Sequence, residues 1–202
     1  MRGALLAFGL LGFSALGLAF LSFPSYSVAD DDAARAKQER RSRDAFSEVA
    51  RVLRHPRCLN CHPSGDRPHV GDERRVHGMN VQRGADNHGM AGLRCHACHQ
   101  DENQDLAGVP GAPHWHLAPL SMGWEGLDDH DLASRLIDRS QNGDRSFEQL
   151  LEHMSHDPLV GWAWEPGVGR AAPPLSRDEF IQALKTWFDT GAVLPRKGKT
   201  SF

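Results

Sequence analysis

Twice in this chain Cys-x-x-Cys is followed at once by His: Cys58-Leu59-Asn60-Cys61-His62 and Cys95-His96-Ala97-Cys98-His99. This spacing is the attachment signature of c-type haem. The two thiols add to the two vinyl groups of one haem, and the next residue lies beneath the iron, where its imidazole binds. A covalent haem supplies core volume and cross-links the loops that carry it, so it constrains folding more than any other short feature here. It also brings one-electron chemistry, tuned by the axial ligands and their surroundings.

All four cysteines lie in these two motifs. Two disulfides in an exported protein would also use them, as would a tetrahedral zinc site. Neither accounts for a His directly after each pair. His is 12 of 202 residues, so two chance occurrences have odds of about 1 in 300, which favours the haem reading. Zinc sites also usually place their His further along the chain. The expected cofactors are two haem c, attached through Cys58, Cys61, Cys95 and Cys98, with His62 and His99 as proximal iron ligands.

The N-terminus agrees with this. Arg2 precedes an apolar run, Ala4 to Phe23, broken only by Gly and Ser, and Ser27-Val28-Ala29 has the small-x-small form of a cleavage site. Residues 1–29 are expected to be a secretory signal peptide, and the mature protein to be periplasmic. Without a twin Arg the general secretory route fits. Left uncleaved, the run of about 20 residues is long enough to anchor the chain in a membrane. The formal charge is -3, and haem propionates would add to it. The one basic cluster is the tail Arg196-Lys197-Gly198-Lys199, so nucleic-acid binding has no electrostatic support.

Residues 30–44 read as a charged lead-in, 45–195 as the folded domain and 196–202 as a short basic tail. Phe46, Val49, Ala50 and Leu53 follow the spacing of an apolar helix face, stopped by Pro56. From Pro63 to Gly126 no long periodicity survives, and most of the His lie there. Such a stretch argues against a compact domain unless something else fills it. Helical signals then return. Asp128 can cap a segment carrying Leu132, Leu136 and Ile137 that ends near Asn142-Gly143. Ser146 with Gln149, and Ser176 with Glu179, have capping-box spacing. Phe180, Ala183, Leu184, Trp187 and Phe188 follow a helical period, with Gly191 as the stop. The expected fold is mainly α and loop-rich, a single compact di-haem cytochrome c-like domain. Only 37 positions separate Cys58 from Cys95, too few for two separate small domains.

Each proximal His should donate its second ring N–H to a carbonyl. Pro110, following His99, stands where mono-haem cytochromes carry the proline that supplies it. For the distal positions the sequence points to His77 at one iron and Met122 at the other. His114, His116, His153, Met154, Met79 and Met90 are further candidates. Trp115, Trp124, Trp162 and Trp164 could pack on porphyrin faces or bond propionates, and Arg83 and Arg94 could pair with propionates, though plain packing or solvation is the leading reading for each.

Three stretches carry a family resemblance: Cys58 through Pro68 (CLNCHPSGDRP), Val109 through Pro119 (VPGAPHWHLAP) and Trp162 through Gly167 (WAWEPG). Over roughly residues 45 to 195 the chain resembles small bacterial haem c proteins often labelled as a subunit of isoquinoline 1-oxidoreductase. The resemblance implies a redox partner, a periplasmic molybdenum hydroxylase whose iron–sulfur subunit would pass electrons to this chain. With four cysteines spent on haem, none remains here for an iron–sulfur cluster, and nothing resembles a pterin-binding domain. The expected role is therefore electron transfer with no substrate of its own. The alternative is a small peroxidase- or oxidase-like haem enzyme with one open iron, served by an acid–base group among His77, His114, His116 and Glu125. A gas or metal sensor is a third reading, but no output domain is present.

Overall fold

A computed structural model describes residues 28–198. Nearly all of the expected signal segment lies outside the described residues. Val28 and Ala29, its last two positions, open helix α1, Val28–Leu53. This helix runs unbroken through the charged lead-in. Its first turns are exposed, and Phe46, Val49, Ala50 and Leu53 are all buried, as is Val52.

Helix α1 packs against the last helix of the chain. After Leu53, α2 (Pro56–Leu59) follows directly. Further on come α3 (Asp129–Ile137), α4 (Phe147–His156), α5 (Pro158–Gly161) and α6 (Arg177–Asp189). The Phe46 and Trp187 rings meet at 4.6 Å between α1 and α6, tilted by 54°, and both residues are 0% exposed. Ser42 lies beside them, its hydroxyl accepting from Val193 N at 3.0 Å. Leu132, Leu136, Leu150, Met154, Phe180 and Leu184 join the same apolar cluster, which also takes Leu59 from α2. The chain is thus mainly helical and loop-rich.

The helix starts follow their sequence signals. Asp128 caps α3, and its side chain accepts from Asp131 N. Ser146 with Gln149, and Ser176 with Glu179, form complete capping boxes on α4 and α6. One stop differs from expectation: α3 ends at Ile137. Asp138 accepts from Ser140 N at 2.9 Å, and buried Asn142 donates to Leu136 O at 2.7 Å and accepts from Arg145 N at 2.8 Å. These short polar side chains outcompete the helical backbone pattern and fold residues 138–145 into a tight loop.

The segment from Pro63 to Leu117 is built differently. Two hairpins of two-residue strands stand in it, His69–Val70 with Arg75–Val76 and Gly89–Met90 with Leu93–Arg94, both antiparallel. Strands this short show no alternation in the sequence. At Gly89 (φ 91°) a Cβ would come within 2.6 Å of Leu93 O, so this hairpin needs glycine. The helical cluster takes no buried residue between Leu59 and Met122. Polar contacts hold the segment instead. Arg83, buried, donates to Pro63 O at 3.3 Å, to Gly65 O at 3.0 Å and to Ala118 O. Among the described residues no helix is long and apolar enough to cross a membrane.

Candidate functional site

The two Cys-x-x-Cys-His motifs adopt the same local geometry. Pro56 opens α2, where its missing N–H costs nothing, and His55 Nδ1 accepts from Arg57 N. This turn carries Cys58 toward Cys61, and His62 N donates to Cys58 O at 3.2 Å. At the second motif a 3-10 turn spans Cys95–Ala97, and His99 N donates to Cys95 O at 2.9 Å. Residues three and four apart on a helical turn share a face. Each motif therefore presents two sulfurs and one imidazole to the same side.

None of the four sulfurs is paired. Among the described residues no group of three or more His, Cys, Asp or Glu gathers as a metal ion would require. The disulfide and tetrahedral zinc arrangements thus do not form here. A haem iron takes only two ligands from the chain, so this does not bear on haem. Burial pushes the Cys58 thiol up to about 12 and Cys61 up to about 11. Such surroundings suit an uncharged sulfur, and a thioether is uncharged.

Each motif opens onto its own cavity. The first has an empty volume of about 970 Å³, its open mouth included, and is lined by Cys58, Cys61 and His62. The second, about 1690 Å³, is lined by Cys95, Cys98 and His99. The space enclosed is about 130 Å³ in the first and about 550 Å³ in the second, and the second falls within the roughly 300–1,000 Å³ that ligand sites commonly occupy. Arg57, Cys61, His116 and Trp162 line both cavities and form a common wall. Arg57 is 4% exposed. It pairs with Asp72 at 2.5 Å and lies over the Trp162 ring at 5.8 Å, yet its Nε has no partner. An unsatisfied buried donor is costly, and the carboxylate of a haem propionate is the kind of group that would satisfy it.

The two candidate proximal imidazoles are held alike. His62 Nδ1–H donates to Met122 O at 2.8 Å, and the ring stacks on Trp124 with centres 3.5 Å apart and planes 10° apart. His99 Nδ1–H donates to Pro110 O at 2.6 Å, and its ring stacks on Trp115 at 4.5 Å and 6°. Trp162 meets Trp115 edge-on at 4.8 Å, itself fixed by donating to Asn103 Oδ1 at 2.8 Å. The carbonyl fixes the tautomer and leaves Nε2 as the metal-binding nitrogen. Burial lowers the pKa of His62 to about 3, outweighing the opposing carbonyl contact. Burial lowers His99 as well. Both rings are thus neutral, the form that binds a metal.

His77 lines the second cavity with His99. Their ring centres are 6.2 Å apart, with planes at 70°, and His77 Nδ1 is engaged by Gly78 O at 3.0 Å. The structure thus brings His77, the expected distal ligand, into the cavity of His99.

The other residues named from the sequence are placed as follows. Met122, expected as a distal ligand, lines the first cavity with His62. Its own carbonyl contacts Nδ1, on the ring edge opposite Nε2, and it does not line the second cavity. Trp124 and Trp115 brace the His rings, and Trp164 donates to Leu175 O at 2.8 Å. Arg83 is occupied by backbone carbonyls, and Arg94 forms a double hydrogen bond to Asp86 at 2.9 and 2.7 Å. Arg94 lines the second cavity, whereas Arg83 lines neither, although its Nε has no hydrogen-bond partner. Glu125 pairs with Arg74 and accepts from Ser64 N at 2.8 Å, and it lines neither cavity. The sequence reading passed over Arg57, although a basic residue directly before the first Cys was a visible signal. It also gave no role to Asp157, four positions after His153.

Comparison with protein-family models, curated proteins and solved structures returns no match.

Proposed function

We propose that this chain is an exported di-haem c-type cytochrome that carries electrons and has no substrate of its own. One observation carries the reading: each Cys-x-x-Cys-His turn opens onto its own cavity, and Cys61 lies on the wall common to both. Haem would supply the one-electron chemistry. The chain's part is to bind it through Cys58, Cys61, Cys95 and Cys98, to hold His62 and His99 in one tautomer, and to keep water away with Trp115, Trp124 and Trp162. A common wall keeps the two sites close, as an electron relay needs.

The partner that fits is a redox protein, a molybdenum hydroxylase with an iron–sulfur subunit, as the family resemblance implies. Met79 and Val168, 69% and 77% exposed, stand at the second cavity with Arg75 and Arg170. This small apolar and basic rim suits a transient redox encounter.

The test is a count of covalent haem in the protein matured in a periplasm, followed by reduced spectra with and without carbon monoxide. The expected result is two haems per chain and a spectrum indifferent to carbon monoxide. A chain carrying no covalent haem overturns the reading. Two haems with one binding carbon monoxide would favour the haem-enzyme alternative.

A further inference from the structure

We infer that His153 is the distal iron ligand of the first cavity, oriented by Asp157. The inference rests on the haem reading above and deepens it. A distal ligand must face His62 Nε2 from the cavity, and four side chains lining that cavity have a suitable atom: His116, Met122, Met154 and His153. Met122 has its backbone tied to the Nδ1 edge of the His62 ring, opposite Nε2. Met154 belongs to the helical apolar cluster. His116 belongs to the common wall, its Nδ1 held by His114 O and its ring stacked on His88 at 4.7 Å.

His153 has the features of a prepared ligand. It stands in the last turn of α4, three positions after buried Leu150, on a regular element anchored in the core. Its Nδ1 lies 3.3 Å from Asp157 Oδ2, which leaves Nε2 as the nitrogen for a metal. Asp157 is itself fixed. Its Oδ1 caps α5, accepting from Leu159 N at 2.8 Å and Val160 N at 3.2 Å, and its carbonyl accepts from Arg177 Nη2 at 3.2 Å. A carboxylate locked by a helix cap and aimed at the back of an imidazole is how proteins orient metal-binding His and strengthen it as a donor. With His77 facing His99, both irons would then have two imidazoles. That combination is expected to hold the potential below that of a His–Met pair.

The experiment uses the matured protein and begins with its covalent haem count. Wild type is expected to show two low-spin haems with no Met-to-iron charge-transfer band. His153→Ala should turn one of the two haems high-spin and open it to carbon monoxide, with added imidazole restoring the low-spin form. His153→Met should keep six-coordination, introduce the charge-transfer band and raise one potential only. Asp157→Asn retains a good helix cap and should raise the same potential without changing spin state. Two inert low-spin haems in His153→Ala would overturn the inference and leave the cytochrome reading standing. So would a wild-type charge-transfer band that disappears in Met154→Ala. Absence of covalent haem would overturn both.

Discussion

Single residues do most of the positioning around the two motifs. His62 and His99 sit in unrelated stretches, yet each ring has a carbonyl at Nδ1 and an indole against its face. One of the two carbonyls was legible, because proline at position 110 marks its place. The other was not, since every residue has a carbonyl and nothing in the letters says which one turns inward. Met122 drew attention for its sulfur and contributes its backbone. Arg94, directly before Cys95, shows a second kind of anchoring. Its hydrogen bonds, with help from His88 N, hold the Asp86 carboxyl near 2 rather than the ordinary 3.8. A carboxylate depressed in the folded state stabilises it above pH 3.8 and loses that effect as pH falls through 2. A titration of Asp86 followed by NMR is expected to give a midpoint near 2, returning toward 3.8 in Arg94→Ala. An unchanged midpoint in that variant would show that the pair is not the cause.

At the scale of elements, the helices were readable and the hairpins were not. A capping box is a four-residue local signal that tertiary contacts rarely overrule, and Ser146 and Ser176 both form one. The end of α3 was misjudged because Asp138 and Asn142 act through side-chain hydrogen bonds to the backbone, which compete with helix without breaking its periodicity. Two-residue strands have no period at all, so sequence could not reveal them. Packing between α1 and α6 should dominate the stability of the helical part. Phe46→Ala, which removes a fully buried ring, is expected to cost about 3–5 kcal/mol. Loss of the α6 cap in Ser176→Ala should cost about 1 kcal/mol. Chemical denaturation of both variants checks the order: a cap variant as damaging as the core variant would refute this ranking.

On the scale of the whole molecule, the wall common to both cavities is the organising feature. Arg57 places one positive charge in it, buried and only partly neutralised by Asp72. A fixed positive charge favours the reduced state of whatever redox group it faces, and in a low-dielectric setting the effect is strong. Arg57→Gln is therefore expected to lower both midpoint potentials in a spectroelectrochemical titration. An Arg that served one site alone would move one potential and leave the other in place. The two motifs and their close spacing are legible in the sequence, but which side chains form the wall between the two cavities depends on how residues 57, 61, 116 and 162 converge.

The helical apolar cluster passes over every residue between Leu59 and Met122, and this has a consequence for how the protein is made. The helical part of the chain is held by an apolar core, and the segment between is held by polar contacts. The helices can assemble as soon as α6 is available, and the first motif follows directly on α1 with Cys58 packed against their cluster. On the proposed function, the second motif would reach its final form only after its haem is attached. Assembly would run in a fixed order, from a scaffold that precedes its cargo to a lobe that is shaped by it.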